Sequence, residues 1–184
     1  MPYWGWIVIG LAAVVFVVAT VLSVRAGRSR KLRTAFGPEY DRTVDEAGSR
    51  SVAEAELRER QRRHGELDLK PLDPDVREDY LERWRATQER FVDDPDGAAM
   101  EADQLVLELM RARGYPVEDV GQRTADISVD YPELVGNYRS AHDATVRQST
   151  GDASTEELRS AMRHYRQLFD ELVGSDAGER LRVR

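Results

Sequence analysis

The chain has 184 residues, a third of them charged, with 27 Lys and Arg against 34 Asp and Glu for a net charge of −7. That length accommodates one ordinary domain and an anchor, and the absence of cysteine excludes disulfides, thiolate metal sites and a cysteine nucleophile. All the acids follow Arg33, so the remainder of the chain is strongly negative. Such a surface repels phosphate backbones, which argues against nucleic acid as a partner.

The chain opens on MPYWGW and continues into the uncharged run IVIGLAAVVFVVATVLSV over residues 7–24. Together, residues 3–24 are long enough to cross a bilayer core of about 30 Å as a helix, with Tyr3, Trp4 and Trp6 at the headgroup level. Arg25, Arg28, Arg30, Lys31 and Arg33 then form a basic collar without an acid. The positive-inside rule keeps that end cytoplasmic, giving a single span with the N-terminus outside. The same five side chains offer a contact for anionic lipid. A cleaved secretory signal is the competing reading, but it needs a basic n-region and a shorter apolar stretch of about 7 to 15 residues. An anchor with its collar is therefore expected over residues 1–33.

Residues 34–72 read as a charged helical spacer and connector. Leu32 and Phe36 are placed along the membrane surface before Gly37-Pro38 breaks the helix, and Gly48-Ser49 interrupts the next one. From Ser51 the pattern is helical but polar nearly all round, with Glu54 and Arg58, Glu56 and Arg60, and Glu59 and Arg63 at i, i+4. Apolar heptads for a coiled coil are missing. Leu67, Leu69 and Leu72 around Pro71 suggest an extended connector able to pack on the domain.

A helical bundle is expected over 73–174. Asp73-Pro74 starts a helix with Val76, Tyr80, Trp84, Gln88 and Phe91 on one face, and Asp94-Pro95 starts another with Ala98, Ala102, Leu105, Val106, Leu109 and Met110. The acids from Asp93 to Asp96 serve as caps, since they lack the alternation of a calcium loop. Their short link predicts an antiparallel hairpin. Tyr115-Pro116 opens a short helix ending near Asp126, followed by a brief apolar alternation at Ile127 and Val129. Tyr131-Pro132 opens a further helix carrying Leu134, Val135, Tyr138, Ala141, His142, Thr145 and Val146. Ser154-Thr155-Glu156-Glu157 is a capping box for a final helix with Leu158, Ala161, Met162, Tyr165, Leu168, Phe169, Leu172 and Val173. Residues 175–184 have the composition of a disordered tail.

Three histidines are the places where proton-transfer or metal chemistry could sit, and none has a second histidine at i+3 or i+4. His142 shares a face with Tyr138 and is expected to be partly buried with a hydrogen bond; His64 and His164 are expected to be solvated. No nucleophile elbow, phosphate loop or dinucleotide fingerprint is present. No catalytic, cofactor-binding or metal residue is assigned, and no cofactor is expected.

The strings FGPEYDRTV (36–44), AEAELRERQ (53–61), RFVDDPDGAAMEADQLV (90–106) and RARGYPVED (111–119) resemble those of a bacterial family of short proteins labelled hypothetical, membrane or secreted. The resemblance implies relatedness and transfers no site, cofactor or partner. Its secreted label conflicts with the charge argument. The fold expected is all-α: a transmembrane helix, a polar helical spacer and a small antiparallel bundle. The expected function is a membrane-tethered module that holds an unidentified protein partner, with a small helical hydrolase around His142, or an exported envelope protein, as alternatives.

Overall fold

The computed structural model describes the backbone of residues 4–174, and their side chains except at 4–10, 12–14, 17, 18, 21, 22, 24 and 25. Eight α-helices and no strands occur among the described residues. They are α1 (Trp4–Phe36), α2 (Pro38–Ala47), α3 (Arg50–His64), α4 (Pro74–Arg90), α5 (Pro95–Ala112), α6 (Val120–Asp130), α7 (Val135–Gln148) and α8 (Thr155–Gly174). The chain divides into two compact units, Met1–Arg58 and Glu59–Arg184, so the stretch expected as a spacer, 34–72, is shared between them. Among the described residues no helix is long and apolar enough to cross a membrane. Most side chains of the apolar run, together with Tyr3, Trp4, Trp6 and Arg25, lie outside that description, as does the tail 175–184.

In the first unit, Gly37 takes a positive φ of 47° that turns the chain out of α1, and Pro38 starts α2. Gly48, at φ 61°, closes α2 in the left-handed conformation. The membrane-surface placement expected for Leu32 and Phe36 is not observed: both are buried, as are Tyr40, Ala53 and Leu57. Glu54 accepts from the Ser29 hydroxyl and, at 2.8 Å, from Tyr40, and Arg50 donates to the Tyr40 hydroxyl at 3.1 Å. α3 therefore has a face after all. Ala53, Leu57 and Arg60 are buried at helical spacing, a stripe too narrow to stand out among so many charges.

The second unit is built around α5 and α8. All six expected positions of α5 and all eight of α8 are buried. α8 packs chiefly on α7 and α5, and α4 on α5. Trp84 stacks on Phe169 with ring centroids 4.6 Å apart. Two starts are capped as the sequence predicts, Asp73 accepting from the Asp75 amide and Asp94 from that of Gly97; Asp119 caps α6 by accepting from the Gln122 amide. In the capping box of α8, Ser154 and Glu157 exchange hydrogen bonds. Leu67, Leu69 and Leu72 pack against this core, and Gly114, at φ 94°, lets the chain pass the Asp68 carbonyl.

Three expectations are corrected. Val76 is exposed, and Thr87 takes the buried position on α4. α6 begins at Val120, not at Tyr115-Pro116, runs on to Asp130 and is buried without interruption from Arg123 to Val129. α7 begins at Val135, because Tyr131 leaves the helical region and Pro132 sits in a turn closed by the Leu134 amide on the Tyr131 carbonyl.

Candidate functional site

Two polar clusters in the second unit each join a histidine, an aspartate and a tyrosine. In the first, Asp103 interrupts the apolar stripe of α5, and its Oδ1 accepts from the Tyr165 hydroxyl of α8 at 2.9 Å. His142 Nδ1 lies 3.4 Å from the same oxygen, at the long limit for a hydrogen bond. The Tyr165 hydroxyl is also 3.1 Å from that of Thr145, which in turn bonds the Ala141 carbonyl. Tyr138 stacks on the His142 ring at 6.0 Å and meets Tyr165 edge-on. Burial pushes the Tyr138 hydroxyl up to about 12, against the opposing effect of the nearby Arg123 guanidinium. Burial, with Asp103 alongside, also raises that of Tyr165. Both phenols are thus held neutral, and Tyr165 is the one that donates to Asp103.

The second cluster fastens the end of α3 to the end of α6. His64 Nε2 lies 2.7 Å from Asp130 Oδ2, and Tyr115 donates to the same oxygen. Burial raises the Tyr115 hydroxyl as well. One turn earlier on α6, Asp126 is buried and accepts from the Gln122 amide at 3.0 and 3.1 Å. Its burial holds the carboxyl above the usual range. Arg63 donates to Gln122 at 2.5 Å.

His142 is partly buried, with 17% of its side chain exposed, and meets a carboxylate. His64 is not solvated as expected: its side chain is 14% exposed and bonded. His164 is half-buried, with Nδ1 closed off and unpartnered, and burial lowers its pKa. The three histidines do not converge. Among the described residues no group of three or more His, Asp or Glu could hold a metal ion, and no serine or threonine hydroxyl bonds a histidine ring.

Chemically, Asp103 and Asp130 are each committed to a phenol, and the Thr145 hydroxyl is tied to Tyr165 and a carbonyl. A nucleophile activated by a histidine base needs that hydroxyl on the ring nitrogen. The arrangement instead satisfies buried polar groups contributed by different helices. The partners lie 62 and 66 residues apart, beyond any local pattern. The available signals were an acid set within the apolar stripe of α5 and tyrosines at core positions, which need partners when buried. No family model matches the chain, and neither a curated protein nor a solved structure matches it.

Proposed function

We propose that the chain is a single-pass membrane protein whose helical module is non-enzymatic and holds a protein partner at the membrane. The observation that carries this reading is α1. Its backbone is helical without a break for 33 residues, or about 50 Å at 1.5 Å per residue, against an apolar bilayer core of about 30 Å. Within the uncharged run, the large apolar side chains that are described face outward, Leu11, Val15 and Phe16 being 64%, 60% and 72% exposed. Lipid is the solvent in which such a surface is stable. The collar after it puts the module on the cytoplasmic side and the N-terminus outside.

The clusters around Asp103 and Asp130 support the non-enzymatic half of the proposal, because each stitches helices together and leaves no reactive group poised. The hydrolase alternative draws on the contact of His142 with Asp103; it requires turnover that His142→Gln abolishes. For the tether, the test is retention of the full chain in membranes washed with alkaline carbonate. The native chain should stay with the membrane, and Val15→Arg with Phe16→Arg should release it, since each arginine at a helix centre costs about 2.5 to 3.5 kcal/mol of insertion. Release of the native chain would contradict the proposal.

A further inference from the structure

The first unit divides the collar into two faces. At about 100° per residue, Ser29, Leu32, Arg33 and Phe36 fall within one arc of about 100°, while Arg28, Arg30 and Lys31 occupy an opposite arc of about 160°. The structure treats the two arcs differently. On the first, Leu32 and Phe36 are buried, Ser29 is bonded to Glu54 and Arg33 pairs with Asp41 at 3.0 Å. On the second, all three cations are exposed and make no ion pair or hydrogen bond among the described residues. Elsewhere in this unit Arg42 pairs with Glu46 at 2.8 Å and Arg50 with Glu54 at 3.8 Å.

We infer that Arg28, Arg30 and Lys31 form a binding face for anionic lipid headgroups, with the α2–α3 side of the helix turned away from them. The inference rests on the membrane tether proposed above and adds its lipid partner. Position supplies the occupant: the first of these cations lies four residues, about 6 Å, beyond the end of the uncharged run. That is the depth of the headgroup layer for a helix spanning residues 3–24. Charge supplies the selectivity. An unpaired Lys or Arg at an anionic surface contributes about fivefold in affinity, whereas Arg33, neutralised by Asp41, contributes little. The buried stripe makes the face one-sided, so the lipids gather on one flank of the span.

The full chain, purified and reconstituted into phosphatidylcholine vesicles containing phosphatidylglycerol, would be probed with spin-labelled forms of each lipid. Reconstitution separates lipid preference from the role the same charges have in setting orientation in cells. The native chain should restrict the anionic label several-fold more strongly than the zwitterionic one. The preference should fall to near unity in Arg28→Gln/Arg30→Gln/Lys31→Gln and weaken as salt is raised, while Arg33→Gln/Asp41→Asn should preserve it. Equal preference in the native and triple-variant chains would overturn the lipid assignment while leaving the tether standing. A chain that restricts neither label, and is removed from the vesicles by carbonate, would overturn both.

Discussion

Tyr165→Phe tests whether the Asp103 cluster is structural support or a working site. Tyr165 is fully buried and its hydroxyl is the closest donor to Asp103, at 2.9 Å. Phenylalanine keeps the ring against Tyr138 and removes only that donor, leaving Asp103 Oδ1 with the 3.4 Å contact to His142. Thr145 retains the Ala141 carbonyl. A hydrogen bond to a charged group contributes about 1.5 to 3 kcal/mol, and stranding the buried acceptor adds to the loss. The variant should therefore be about 2 kcal/mol less stable than the native chain. In urea, with a slope of about 1 to 3 kcal/mol per M, its midpoint should fall by about 1 M. The assay is fluorescence of Trp84, buried in this unit, in a full chain in mild detergent with Trp4 and Trp6 replaced by phenylalanine. A double-mutant cycle with Asp103→Asn should show coupling of about 1 to 2 kcal/mol. An unchanged or raised midpoint would refute the reasoning. Polar groups that weaken a core are the mark of a functional site, and the hydrolase reading would then gain.

Three further outcomes follow from individual residues. Gly114→Ala should cost about 1 to 3 kcal/mol in the same titration, because φ is 94° and the new Cβ would lie 2.5 Å from the Asp68 carbonyl oxygen. Asp126→Asn should raise stability at neutral pH. Burial lifts the folded carboxyl above its ordinary 3.8, so its contribution is complete below that value and is lost as pH rises through the raised one; the advantage of Asn should vanish near pH 3.8. Glu54 has the opposite sign. The Ser29 hydroxyl bond, followed by those of Tyr40 and the arginines, lowers its carboxyl below 4.5, so the stability it supplies is present above 4.5 and is lost as pH falls through the lowered value. Amide exchange in α2 and α3 should accelerate across that window in the native chain and lose this dependence in Glu54→Gln.

The parts of the fold legible in the sequence are those with one dry face and one wet one. α5 and α8 alternate at three and four residues because one side of each meets the core, and Asp-Pro or Ser-x-x-Glu marks their starts. α6 lacked that contrast. Covered from Arg123 to Val129, with Thr124 bonded to the Val120 carbonyl and Ser128 to that of Ala125, it buries polar and apolar residues alike, so its pattern has no period to read. α3 failed for the reverse reason, its narrow buried stripe being swamped by charge. The histidines were legible as candidates, but the Asp130 partner of His64 is brought to it by tertiary packing alone.

The most direct test of the account is the side of the membrane on which the C-terminus lies, read with paired reporter fusions, one active only in the cytoplasm and one only outside it. A cytoplasmic C-terminus on a membrane-retained chain is the predicted result. Activity of the external reporter would contradict the orientation argued from the collar and place the module among envelope or extracellular partners.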